Sequence, residues 1–201
     1  NTPERKSKTG FFLSLCFVAT SLHNGVLGIG ALIFAKNPGA LYFVNIISHL
    51  PLTALSIISL YTAYYIFLPR SSPYLAIVIT ILISSVGMVS AIGNSEQPFL
   101  TPQNGIDWNL NPLFAITTFL LLFLSLSVFF YIFTKLSQEV KVGEVRVLSF
   151  VISISALVGI INAFVRLILF NNIPAPTRTS MLDIGIGTIG IVFIVTFIAI
   201  P

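Results

Sequence analysis

Apolar residues fill six stretches of this chain almost without interruption. Residues 9–35, 37–69, 71–95, 108–134, 147–165 and 184–201 contain no Asp, Glu, Lys or Arg. A helix crosses the hydrocarbon core of a bilayer in about 17–25 residues, so each stretch is long enough to be one span. The expected spans are 11–35, 40–68, 73–93, 112–134, 146–170 and 180–200. The expected fold is therefore all-α: a polytopic integral membrane bundle of six transmembrane helices, forming a single transmembrane domain over residues 1–201.

Breaker residues support these divisions. Pro73 and Pro112 fall at helix starts, where a missing N–H costs nothing. Asn37-Pro38-Gly39 predicts a tight turn, which makes the first two helices antiparallel neighbours. Pro51 removes one hydrogen bond inside the second span and frees a carbonyl near Ile47, which predicts a kink. The loop 94–111 holds two prolines, one glycine and four asparagines, which argues against a helix through it. It is expected to cap the bundle or dock a partner. Segment 135–146 mixes both charge signs and is expected to be a solvated turn. Gly25, Gly28 and Gly30 in the first span, and Gly185, Gly187 and Gly190 in the last, predict close helix packing. Ser84, Ser85, Gly87, Ser90 and Ala91, and Ser153, Ser155, Ala156 and Gly159, predict two further packing faces. No convincing inverted repeat is visible.

Basic residues set the expected orientation. With the N-terminus inside, the inner segments hold Arg5, Lys6, Lys8, Arg70, Lys135, Lys141 and Arg146, and the outer ones hold Lys36 and Arg178. That bias favours N-in and C-in, with both termini on the cytoplasmic or inner side of a cell membrane or an organelle inner membrane. The cluster Arg5-Lys6-Ser7-Lys8 before Phe11 mimics a signal peptide, but the apolar run continues to Ala35. It reads as a retained first helix acting as a signal anchor.

Composition narrows the chemistry. Only 8% of residues are charged and mean hydropathy is +1.00, far from the roughly 25% charge of a soluble domain. One cysteine, Cys16, excludes an internal disulfide and a cysteine-rich metal site. The net charge of +4 is spread along the chain, which fits membrane orientation and not nucleic-acid binding. There is no phosphate-binding loop, His-Glu-x-x-His helix or Gly-x-Ser-x-Gly elbow, so a self-contained enzyme is not expected.

Polar and ionisable residues inside a span are costly, and each is a functional candidate. They are His23, Asn24, Asn45, His49, Asn162, Arg166 and Asp183. In the expected topology all lie in the middle or outer half of the membrane. His23 is twelve residues before Ala35 and His49 nine after Ala40. At 1.5 Å per residue their depths differ by only about 4–5 Å. Two facing imidazoles at one depth are what a b-type haem needs as axial ligands. Arg166 and Asp183 flank the short connection 171–179, so an ion pair across that hairpin is expected to lower the burial cost of both.

These features predict a small non-catalytic membrane subunit of a larger complex. A respiratory, electron-transferring complex fits best, with a b-type haem, a quinone or a bound lipid as candidate ligands. Its partners are membrane lipids and other membrane subunits, and no nucleic acid. The alternative is a small-solute transporter or channel built on Pro51, the glycines and the outer polar group.

Overall fold

The structure, a computed structural model, describes residues 3–67, 71–93, 97–101, 104, 106–141 and 143–169. The sixth expected span, 180–200, lies outside these residues, as do Asp183 and Gly185, Gly187 and Gly190. Among the described residues, five helical stretches are long and apolar enough to cross a membrane: Gly10–Phe34, Pro38–Phe67, Tyr74–Ile92, Pro112–Glu139 and Gly143–Leu169. This is the architecture of a multi-pass integral membrane protein. The elements are α1 (Pro3–Phe34), α2 (Pro38–Phe67), α3 (Tyr74–Ile92), β1 (Phe99–Leu100), β2 (Ile106–Asp107), α4 (Pro112–Glu139) and α5 (Gly143–Phe164). A π-helical turn, Val165–Leu169, follows α5.

The chain forms two compact units, Asn1–Ser125 and Leu126–Pro201. The first contains α1, α2, α3, the β1–β2 hairpin and the first half of α4. The turn that starts it is built as its sequence requires. Asn37 N–H donates to Phe34 O, and Asn37 Oδ1 accepts from Ala40 N–H at 3.0 Å. Asn37 is thus the N-cap of α2 and Pro38 its first helical residue. Replacing Asn37 with alanine is expected to cost about 1 kcal/mol of stability, read as a lower unfolding midpoint in a detergent titration.

The turn returns α2 along α1 in antiparallel order. Gly30 packs on Val44, His23 on Ser48, Cys16 on Ser59, and Phe12 on Tyr61 and Tyr65. The α1 residues in this seam, Cys16, Ala19, His23 and Gly30, follow the three-four spacing of a coiled-coil face. They are small or narrow, which lets the backbones approach closely. Helix α3 packs on α2 through Thr80, Ser84, Gly87 and Ala91, all buried. Ser85 is exposed and Ser90 only half-buried, so the face is narrower than the sequence predicts.

The structure extends or corrects four other expectations. First, the span Gly10–Phe34 matches the expected 11–35, and α1 continues beyond it to Pro3. Second, α4 does not stop at 134. It runs to Glu139, with Lys135 and Glu139 paired one turn apart at 3.8 Å on its exposed face. Third, an added Cβ at Gly25 or Gly28 would meet nothing within 4 Å among the described residues, and of that cluster Gly30 makes the close approach. Fourth, the end of the bundle away from the hairpin is not purely apolar. Ser56, Ser59, Thr62, Thr80 and Ser125 are buried there. Four of these hydroxyls bond the carbonyl one turn back: Ser56 to Leu52, Thr62 to Ile58, Thr80 to Ala76 and Ser125 to Leu121. Such a bond removes much of the cost of placing a hydroxyl in hydrocarbon.

The second unit is built on the other half of α4 and on α5. Thr134 and Ser153 share a hydroxyl–hydroxyl bond, Ser153 Oγ donates to Phe130 O, and Gly159 admits Leu126. Ser153 and Ala156 are buried, as the predicted packing face requires.

Candidate functional site

The richest polar site is in the first unit, at the hairpin end of α2, α3 and α4. Its frame comes from the loop. Asn111 caps α4 by accepting from Leu113 N–H at 2.9 Å, with Pro112 in the first helical position. The same Asn-Pro device starts α2. Two further asparagines take the left-handed backbone that asparagine tolerates, Asn104 (φ 61°) and Asn109 (φ 45°). Asn104 lies between β1 and β2, which pair antiparallel, Phe99 with Asp107 and Leu100 with Ile106. Buried Asp107 accepts from Asn109 N–H at 2.9 Å through Oδ1 and so fixes the exit from the hairpin. Pro98 is fully buried, so this loop caps the unit instead of extending from it.

Under the loop, Tyr42 Oη donates to Ala91 O at 2.9 Å and ties α2 to the end of α3. Tyr42, Asn45, Ala91, Pro98, Phe114 and Trp108–Asn111 enclose a niche of about 10 Å³. One turn further along α2 is His49, which is 1% exposed. Its ring lies 4.9 Å from that of Phe114, which also lines the niche. Its Nε2 is buried without a hydrogen-bond partner. Gly87 is beside it: a Cβ there would stand 3.3 Å from Nε2 and would collide with Thr117 Oγ1. The Thr117 hydroxyl proton is directed at the carbonyls of Leu113 and Phe114.

No known protein family, curated protein or solved structure matches this chain.

His23 Nδ1 lies 2.7 Å from Ser48 O. The carbonyl can only accept, so Nδ1 carries the proton. Pro51 lies inside α2 and its missing N–H frees the carbonyl of Ile47, one residue before Ser48, although α2 continues through it. His23 and His49 are thus close in depth, as their positions in the sequence imply. Their rings, however, serve different interfaces: His23 joins α1 to α2, and His49 faces Gly87 of α3 and Phe114 of α4. The facing pair that an axial haem site requires is not the arrangement found.

Of the other candidates, Asn45 lines the niche. Asn24 is exposed and donates to Thr20 O of its own helix at 3.0 Å, outside the site. Asn162 and Arg166 belong to the second unit, both half-buried, with Arg166 in the π-turn. The expected partner of Arg166, Asp183, lies outside the described residues. Among the described residues, no three His, Cys, Asp or Glu side chains gather to hold a metal ion.

Sequence reasoning gave Gly87 only a packing role and missed Phe114, Thr117 and the polar column that continues from His49. Thr53 Oγ1 donates to His49 O and bonds Ser84 Oγ. Ser56 Oγ reaches Leu121 O and Ser125 Oγ, both at 3.0 Å. Ser59 Oγ meets Cys16 Sγ at 3.5 Å. The signal was present in α2, where Asn45, His49, Thr53, Ser56 and Ser59 recur every three or four residues.

Proposed function

We propose that this chain is a non-catalytic membrane subunit that works by packing against other membrane-spanning subunits. One observation carries the reading: α1 is joined to the bundle on one narrow side and offers a shaped surface on the other. Only 11% of its span is buried. An open groove of about 710 Å³ runs along α1, lined by Phe17, Ser21, Gly25, Ile29 and Phe34 and bounded by Gly30 and Val44 at the edge of the seam with α2. Ser21 and Gly25 are one turn apart, the spacing that admits a second helix at close range. The bulky apolar residues around them suit the flank of a transmembrane helix with large side chains. The buried hydroxyls of Ser56, Thr62, Thr80 and Ser125 already bond backbone carbonyls, which suits a structural role.

Membership of a respiratory, electron-transferring assembly is the narrower form of this proposal. A b-type haem between His23 and His49 would require the two rings, which serve different interfaces, to face each other. Haem or quinone chemistry is therefore assigned to neighbouring subunits, with this chain as their support. The lysine and arginine bias supports an orientation with both termini on the inner side and the hairpin outside.

Native mass spectrometry after gentle extraction from the original membrane tests the proposal. The expected result is a defined hetero-assembly containing this chain. A stable, monodisperse protein lacking any partner overturns it. A second reading, a small-solute transporter or channel, is supported by the polar column along α2. Solute flux in proteoliposomes that falls when His49 is replaced by alanine would favour that reading over the first.

A further inference from the structure

We propose that α1 pairs in parallel with α1 of a second copy of this chain, with Asn24 of each copy bonded to Asn24 of the other. The inference rests on the reading of α1 as a packing helix and names one partner for it. The argument begins with a polar side chain that faces lipid. Asn24 is exposed and lies two residues, about 3 Å, from the middle of the span Gly10–Phe34. Its amide donates to Thr20 O and makes no other hydrogen bond among the described residues. A carboxamide has two N–H donors and a carbonyl that accepts. Most of that capacity is unspent at a depth without water, where hydrocarbon penalises it heavily.

The rest of that face fits a helix. Ser14, Phe17, Ser21, Asn24 and Gly28 are spaced alternately three and four residues apart, and all five are exposed. The line runs two residues out of step with the seam residues Cys16, Ala19, His23 and Gly30. It therefore lies about 200° round the helix, on the side away from α2. Three of its five residues are serine or glycine, which lets two membrane helices approach closely. Three-four spacing of this kind winds two helices into a left-handed pair.

Symmetry selects the occupant. One lysine and arginine bias orients every copy the same way, so two α1 helices meet in parallel. A two-fold axis along the membrane normal then sets each residue of the line against its own counterpart at one depth. Asn24 meets a second amide there, and each donates an N–H to the carbonyl of the other. A single asparagine in the core of a parallel pair also fixes the register of its helices. An apolar helix or a lipid chain on this face would leave the amide unbonded, whereas a second copy satisfies it.

The test is disulfide cross-linking of the full chain in its own membrane, with single cysteines introduced in a Cys16→Ser background. Ser14→Cys, Ser21→Cys and Gly28→Cys are expected to yield dimers of this chain. Leu22→Cys and Ile33→Cys, exposed elsewhere round α1, are expected to yield none. Asn24→Leu keeps the size of the side chain without its amide. It is expected to raise the dimer dissociation constant in lipid vesicles about tenfold, the scale of one interhelical polar bond in a membrane. Asn24→Gln, which keeps the amide, is expected to retain the dimer. The proposal is overturned by absence of dimers along the line, by equal cross-linking at Leu22 and Ile33, or by a dimer indifferent to Asn24→Leu. Native mass spectrometry of the same membranes separates this inference from the reading beneath it. A hetero-assembly without the α1–α1 cross-link overturns the inference alone, and cross-linked pairs with no other protein overturn the hetero-assembly alone.

Discussion

A leucine in place of Gly30 will separate α1 from α2 and destabilise the first unit by about 3 kcal/mol or more, a cost at or beyond the top of the usual overpacking range. Even one added carbon at position 30 would overlap both γ-methyls of Val44. Val44 is buried and β-branched, so its side chain has one preferred rotamer in a helix and little freedom to yield. The helices must move, and this contact lies near the turn that joins them. Separation at Gly30 therefore propagates along the seam to His23–Ser48 and Cys16–Ser59. Gly30→Ala offers a graded version, in which a gain in helix propensity of about 1 kcal/mol opposes the clash. Unfolding titrations in mixed micelles will order the stabilities as wild type, Gly30→Ala, Gly30→Leu. Val44→Ala should restore part of the loss in Gly30→Leu, because the two residues share one contact. A Gly30→Leu protein as stable as wild type would mean that the α1–α2 seam is not closed at this point.

The sequence is most legible where lipid imposes composition. Hydrocarbon excludes charge over a fixed thickness, so charge-free runs located the five described helices to within a few residues at most ends. Helix starts were also legible, because Asn37-Pro38 and Asn111-Pro112 carry their own caps. The exception was the end of α4. A charged segment reads as a turn, yet Lys135 and Glu139 continue the helix by pairing across one turn.

Direction around a helix was less legible. Gly25, Gly28 and Gly30 look alike in sequence, but only Gly30 falls on the seam that continues through His23 and Cys16. At the other two an added Cβ would meet no described atom within 4 Å, and Gly25 lines an open groove. The same limit explains the histidines. Depth can be counted along a chain, and it placed His23 and His49 at one level. Facing depends on neighbours: the neighbours of His49 are Gly87 and Phe114, which no local pattern ties to it. The hairpin was hidden because its strands are two residues long, too short for an alternating pattern to register.

Ser56→Leu is expected to be the other severe change, and comparison with Ser56→Ala shows which force holds α2 to α4. Ser56 is fully buried, and its hydroxyl proton reaches the carbonyls of Leu52 and Leu121, with Ser125 Oγ 3.0 Å away. A side-chain oxygen of α2 at hydrogen-bond distance from a backbone carbonyl of α4 means that the two helix surfaces nearly touch. Removing the hydroxyl alone loses a membrane hydrogen bond worth about 0.6 kcal/mol on average and under 2 at most. Alanine also keeps the close approach, so Ser56→Ala should be mild. Leucine adds three carbons where α4 leaves no room, and overpacking costs about 1–3 kcal/mol, with more where backbone has to shift. It also leaves Ser125 without its partner hydroxyl across the interface. The expected order of unfolding midpoints is wild type, then Ser56→Ala slightly lower, then Ser56→Leu far lower. Equal, small losses for the two variants would show that α2 and α4 are not in close contact at Ser56. A large loss for alanine would make the hydroxyl network, and not close packing, the principal bond between these helices.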